Sequence, residues 1–360
     1  MKISPIETFH EKGNATFTDD NGWRLPVHFG DPSAEYHAVR SSAGWVDFAD
    51  RLVLSFTGPD TADWLQGMLS NDVKVLSPGE GTQAAILNIQ GKILADVRVF
   101  CTDESYLIDL WEPLKARVLE HLGRYLVADE VEIVDHSEDL TSVSIQGPQA
   151  RMLLSKILGT HALPTSKLGH AAIQHDNSSL RIIAASHTGE EGFDLILERE
   201  QLLRLLTNEP DNSATIPWVG LAAQHTLRVE AGIPRYGVDM DEGTLLLETN
   251  LNDAVSFSKG CYLGQEVVER IHSRGHVNKE LVGVRCDGQQ VPKRDDVMES
   301  TDGPNIGLIT SATFSPHLSC PVALGYIDRE HAATDQTLVI RNNGTAISAA
   351  VTQLPFYERR

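Results

Sequence analysis

The chain has 360 residues, enough for two or three domains, and its 41% hydrophobic and 22% charged residues are those of an ordinary globular protein. Thirty basic against fifty acidic residues leave a net charge of −20, which argues against neutralising nucleic-acid phosphates or lying on an anionic membrane. No apolar run reaches membrane-spanning length, MKISPIETFHEKG lacks a signal-peptide core, and Cys101, Cys261, Cys286 and Cys320 are too scattered for a zinc site, so a cytoplasmic protein with reduced thiols and no metal is expected.

Along the chain, Asp31–Pro32 opens a helix that Gly44 closes. LVLSFTGPDTADWLQGML, residues 52–69, describes an alternating strand, a Gly-Pro turn and a helix with Pro in its first position, where the missing N–H costs little. Strands at 83–89, 93–100 and 105–111 follow, then a helix opened by Glu112–Pro113 and running to about Leu126. The order restarts at 141–158, TSVSIQGPQARMLLSKIL. There Ser144, Gly147, Pro148, Leu154 and Leu158 repeat Ser55, Gly58, Pro59, Leu65 and Leu69 at a constant offset. Strands near 180–186 and 192–197 and a helix over about 200–207 complete the second copy. The pattern is a duplicated antiparallel α+β unit, not a Rossmann alternation. A helix over 220–231 is closed by Gly232, and another begins near Gly264. From residue 279, LVGVRC, IGLITSATF, VALGYI, TLVIR and AISAAV alternate with turn residues and predict a compact all-β domain.

Three segments carry candidate chemistry. In the hairpin AAILNIQGKILADVRVF, Asp96 falls mid-strand on the same face as Leu94, Arg98 and Phe100. It is either a buried acid able to bind a ligand or move a proton, or one half of an ion pair with Arg98 on an exposed face. In SHTGEEGFDL, Asp194 lies in a strand with His187 across the turn, while Glu190 and Glu191 read as solvated turn residues. In KGCYLGQEVVERI, Cys261 precedes a helix N-terminus and sits beside Lys259, an environment that favours thiolate. Gly260 and Gly264 bracket it, as a close backbone approach would require. Against that, Glu266 opposes thiolate formation and Tyr262 could cover a structural cysteine.

These residues, with GWRLPVHFGDPSAEYHAVRSSAGWVDF, FTGPDTADWLQGMLSNDV, GLAAQHTLRVEAGIPRYGVDMDE and GLITSATFSPHLSCPVALGYI in order, resemble the folate-binding family of the glycine-cleavage T-protein and its YgfZ relatives. KGCYLGQEVVER, comprising Lys259, Gly260, Cys261, Tyr262, Gly264, Gln265, Glu266 and Arg270, is similar to the YgfZ-branch signature. The resemblance implies duplicated ferredoxin-like α/β lobes plus a C-terminal antiparallel β-barrel around a central folate channel. One lobe would comprise 1–50 with 140–240 and the other 51–139. Residues 241–278 would connect them to a barrel at 279–360.

It implies Asp96 as the acid at folate and the reacting nitrogen, with Phe100, His187, Asp194 and Gln224 at the folate. His187 replaces a family Tyr, Asp194 a family Glu, Gln224 a family Arg, and Ala95 the Asp before Asp96. The motif puts first a tetrahydrofolate-binding protein assisting iron–sulfur cluster assembly or repair, with Cys261 as its thiol and iron–sulfur client or assembly proteins as partners. The alternative is an aminomethyltransferase that takes a one-carbon unit from an aminomethyl-lipoyl carrier protein and releases ammonia. A folate-binding module without turnover is the third reading, so enzyme activity stays open at this point.

Overall fold

In the computed structural model the described residues are 1–207, 216–342 and 345–359. The chain opens with β1 (Lys2–Ile3), α1 (Glu7–Lys12) and a hairpin of β2 (Thr16–Asp20) and β3 (Trp23–His28), which form a small sheet in the order β1-β3-β2. In helix α2 (Pro32–Ser41) the Asp31 side chain accepts from the Ser33 N–H at 2.9 Å, and Pro32 occupies the first turn. The helix ends at Ser41, and Gly44 instead begins strand β4 (Gly44–Asp47).

Strand β5 (Arg51–Thr57), helix α3 (Thr61–Met68), strands β6 (Gly81–Leu87), β7 (Ile93–Cys101) and β8 (Tyr106–Trp111), helix α4 (Lys115–Gly123) and strand β9 (Glu132–Asp135) follow. Their sheet has the order β6-β7-β8-β5-β9. Next come β10 (Leu140–Gln146), α5 (Ala150–Leu158), β11 (His170–His175), β12 (Ser178–Ala184), β13 (Gly192–Glu198) and α6 (Arg199–Thr207). With β4 these strands form a sheet in the order β11-β12-β13-β10-β4. In their first four positions the two orders are the same, while the fifth is held by β9, which follows the first copy, and by β4, which precedes both, so the sequence repeat is a repeat of a four-strand topology. Strand β11, absent from the sequence reading, is an edge strand; HAAIQH is half-exposed and lacks the apolar alternation that announces the others.

The Gly-Pro pairs have a different task from the one expected. Pro59 and Pro148 precede helices that begin at Thr61 and Ala150, so neither is a first helical residue. Gly58 and Gly147 adopt φ of 119° and 140°, and a Cβ there would meet Glu130 O at 2.1 Å and Ser42 O at 2.4 Å. Each copy therefore uses its glycine where another stretch of backbone crosses the strand–helix turn.

Helix α7 (Leu221–Glu230) and helix α8 (Gln265–Arg274) lead to a closed barrel of β14 (Lys279–Cys286), β15 (Val297–Ser300), β16 (Asn305–Ser315), β17 (Cys320–Asp328), β18 (Thr337–Asn342) and β19 (Thr345–Thr352). Its order is β14-β17-β16-β15-β18-β19, and pairing of β14 with β19 removes the free edges. The two sheets face each other through Val53, Phe100, Ile183, Ala185 and Ile196. Helix α7 joins the parts. His225 Nε2 lies 3.0 Å from Ala312 O in the barrel, and the fully buried Glu230 accepts from the Tyr36 hydroxyl at 2.8 Å and pairs with Arg40 at 2.6 Å. None of the described helices is long and apolar enough to cross a membrane.

Candidate active site

The sheets, α7 and the segment before α8 enclose a cavity of about 580 Å³, within the range usual for small-molecule sites. One wall is the inward face of the β5–β9 sheet. Side chains alternate along a strand, so Asp96 and Arg98 on β7, Trp111 at the end of β8 and Arg51 at the start of β5 project together. Ser186–Thr188 from the turn after β12 face them, Gln224, His225 and Arg228 on α7 close a third side, and Lys167 and Asn250–Asp253 rim the space.

A ladder of hydrogen-bonded polar side chains runs behind this wall. His187 Nε2 lies 3.0 Å from both Asp194 oxygens, Arg98 bridges Asp194 and Asp109, and Arg51 Nε donates to Asp109 Oδ1 at 2.7 Å. Burial alone would raise the pKa of Asp194, but His187 and Arg98 hold its carboxyl well below the ordinary carboxylate range. The same pairs keep Arg98 charged despite its burial. His187, Arg98 and Arg51 line the cavity while both aspartates stay buried behind them.

Asp96 stands apart from the ladder. Its carboxylate has no side-chain or backbone donor from another residue among those described, and burial pushes its pKa up against the pull of Arg51 and Arg98. The ion pair of Asp96 with Arg98 considered from sequence is therefore replaced by Arg98 pairing with Asp109 and Asp194. A second cavity acid, Asp50, is pushed up to about 6 by burial, opposed by Arg235, Arg51 and the Trp111 indole N–H at 3.1 Å.

His187 and Gln224 line the cavity as expected, and Asp194 supports His187 from behind. Phe100 does not reach the cavity. Its ring is fully buried between the two sheets, 5.4 Å from the His170 ring, because it lies further along β7 where the sheets close on each other. Glu190 is also corrected, since it is buried against Arg40 at 3.2 Å and is not a solvated turn residue.

The KGCYLGQE residues lie outside the cavity lining. Lys259 Nζ donates to the carbonyls of Gln66, Leu69 and Asn71 at 2.6–2.8 Å, satisfying orphan groups at the end of α3. Its ammonium is committed there rather than to the cysteine, and burial lowers its pKa to about 8. Gly264, with φ of 84°, packs on the β6–β7 turn, where a Cβ would meet Asn88 O at 2.5 Å. At Gly260 no atom of the described residues lies within 4 Å of such a Cβ, so no close approach among them explains it. Tyr262 is buried, Gln265 accepts from the Tyr262 N–H at 3.2 Å, and Cys261, Glu266 and Arg270 are exposed. The motif thus braces the hairpin that carries Asp96 and presents a thiol to solvent.

Sequence reasoning missed Asp50, Arg51, Asp109, Trp111 and Arg228. Asp109 within YLIDLW carried the same signal as Asp96, a carboxylate inside an apolar strand.

With this geometry in hand, the relatives decide the family. The GCVT N-terminal domain matches residues 6–259, and the glycine cleavage T-protein C-terminal barrel domain matches residues 279–358. The chain belongs to the glycine-cleavage T-protein family. It is 31% identical to an aminomethyltransferase of a Nostoc species over 98% of this chain and 95% of the relative. An aminomethyltransferase of Saccharopolyspora erythraea is 30% identical over 99% of this chain and 98% of its own. The crystal structure of the glycine cleavage system aminomethyltransferase T from Bartonella henselae superposes with a TM-score of 0.91 at 25% identity, covering 100% of this chain and 99% of that one. The three-part α+β and barrel architecture is that of the T-protein family.

Proposed function

We propose that this T-protein family member is an aminomethyltransferase using tetrahydrofolate. Proteins of this family bind tetrahydrofolate as a substrate partner. The observation that carries the reading is Asp96, a carboxylate without a partner among the described residues that faces the central cavity. The names of the full-length relatives point to the same activity.

The cavity fits such a ligand in volume and chemistry. It offers an acid without a partner among the described residues, the half-exposed His187 ring fixed by Asp194, and Trp111 as aromatic wall. Tetrahydrofolate supplies the two nitrogens that take up the methylene group, one in the reduced pterin ring and one on the bridge to the aminobenzoyl unit. Asp96 is assigned to the proton that leaves the first of these nitrogens, and its raised affinity for protons suits a group that accepts one and returns it. The overall balance is an aminomethyl thioether plus tetrahydrofolate giving methylenetetrahydrofolate, free thiol and ammonium. The two protons lost from nitrogen reach sulfur and the departing amine. Gln224 offers a neutral amide where the family pattern has a guanidinium, so contact with an anionic part of the ligand is weaker on that side.

The test is ammonia release by the purified protein supplied with aminomethyl-lipoyl carrier protein and tetrahydrofolate. Turnover supports the reading; tetrahydrofolate binding without ammonia release would overturn it. The YgfZ-type reading, assistance to iron–sulfur proteins, is favoured by one observation, the exposed Cys261 within KGCYLGQE. It requires that Cys261→Ser abolish support of iron–sulfur enzymes in cells lacking the native protein, whereas the transferase reading requires Cys261→Ser to keep full ammonia release.

A further inference from the structure

The turn that carries His187 is held from outside the cavity by the segment that follows β19. Ser186, His187 and Thr188 line the cavity. From the sheet below, Gln146 Oε1 accepts from the His187 N–H at 2.9 Å and from the Thr188 hydroxyl at 3.3 Å. On the outer side, Arg40 near the end of α2 donates from Nη1 to Thr188 O at 2.8 Å and to Glu190 at 3.2 Å, and from Nη2 to Glu230 at 2.6 Å. The Glu190 and Glu230 side chains are 1% and 0% exposed, so one guanidinium serves two buried carboxylates and the carbonyl next to His187.

Residues 353–359 cover that guanidinium. Leu354 and Phe356 anchor the segment by packing with Val229, Leu281, Val322 and Tyr326 in the seam between α7 and the barrel. The Tyr357 N–H donates to Glu230 O at 2.9 Å, which sets the segment in register with the end of α7. The Tyr357 ring centre then lies 3.7 Å from the Arg40 guanidinium carbon. Gly189, with φ of 84°, brings the turn against the same ring, where a Cβ would meet Tyr357 Cδ1 at 3.3 Å. A cation over an aromatic face is attracted by the ring quadrupole, and the ring keeps water from the guanidinium, which strengthens its hydrogen bonds to the turn.

We propose that Tyr357 is a positioning residue for the cavity: stacked on Arg40, it fixes the turn over 186–190 and so holds His187 in the place where it meets a bound ligand. Tyr357 is half-buried and does not line the cavity, so it acts through Arg40 and the Thr188 carbonyl. Without the ring, water reaches Arg40, the turn populates several positions, and binding must select one of them at a cost in affinity. The effect on ligand affinity rests on the tetrahydrofolate reading of this cavity, whereas the effect on the His187 ring does not.

The experiment compares the full chain with its Tyr357→Ala and Tyr357→Phe variants. Tetrahydrofolate affinity is read by calorimetry, and the His187 ring signals by NMR of histidine-labelled protein, assigned with His187→Gln. Tyr357→Ala is expected to weaken tetrahydrofolate binding by at least about fivefold and to shift or broaden the His187 signals. Its melting temperature should stay within about 4 °C of wild type, because Leu354 and Phe356 still anchor the segment. Tyr357→Phe keeps the ring on Arg40 and is expected to match wild type in both readouts. Should Tyr357→Ala fail to fold, Tyr357→Leu, which keeps bulk over Gly189 without an aromatic face, takes its place. Unmoved His187 signals in the variant lacking the ring overturn the proposal, as does unchanged affinity in a chain that binds tetrahydrofolate, or a Tyr357→Phe as impaired as Tyr357→Ala. Wild-type protein that binds no tetrahydrofolate, with His187 signals that move in Tyr357→Ala and recover in Tyr357→Phe, removes the folate reading and leaves the positioning role supported.

Discussion

Replacing Asp96 by Asn separates chemistry from folding at this site. Asn has the same shape, and Asp96 accepts no hydrogen bond from another described residue, so the substitution breaks no contact. Stability is therefore expected to change by less than about 0.5 kcal/mol at acid pH. At neutral pH the direction follows from burial. A carboxyl whose folded pKa lies above its unfolded value favours the folded state at low pH, and that stability is lost as pH rises through the folded pKa. The Asn variant lacks this loss and should be no less stable than wild type at pH 7 to 8. Turnover is a different matter. Removal of a positioned proton-transfer group costs about 10²- to 10⁴-fold, or roughly 3 to 5 kcal/mol of barrier. The assay is single-turnover ammonia release with aminomethyl-lipoyl carrier protein and tetrahydrofolate, with thermal denaturation on the same samples. A variant that turns over at the wild-type rate would refute the role assigned to Asp96. A variant that unfolds would refute the description of its surroundings.

Arg98→Met removes the cation shared by Asp109 and Asp194 and leaves two buried carboxylates with one partner each; a loss of about 3 to 5 kcal/mol is expected in urea denaturation, and less than about 1 would contradict the ladder. Gly264→Ala forces a Cβ toward Asn88 O at positive φ and should cost about 1 to 3 kcal/mol. Gly260→Ala, with open space, should stay within about 0.5; equal effects would disprove the docking of this segment on the β6–β7 turn. Asp50, raised from 3.8 to about 6, stabilises the fold below the unfolded pKa and loses that contribution as pH rises through about 6. Asp50→Asn should match wild type near pH 3.5 and exceed it by up to about 3 kcal/mol near pH 7.5, and a gap independent of pH would count against a buried, protonatable Asp50.

The sequence by itself determined the elements and their repetition. Apolar alternation, Gly-Pro turns and a constant offset between two copies are local signals, and local hydrogen bonding with one-sided burial turns them into the same four-strand order twice. Asp96 was legible for the same reason, because a carboxylate in the middle of an apolar strand needs an explanation before any fold is known. Edge strand β11 was not, since half-exposed edges demand little apolar patterning.

What only the tertiary structure decided is which charges meet. Arg98 joins Asp194, 96 residues away, and Lys259 reaches back to the carbonyls at the end of α3. Phe100 shares a strand face with Asp96 yet belongs to the seam between the sheets, because the cavity ends partway along β7. Alternation along a strand tells which side a residue faces, while the distance to the opposing sheet settles whether that side is core or cavity. That distance is set by packing between segments remote in the chain, and no local pattern encodes it.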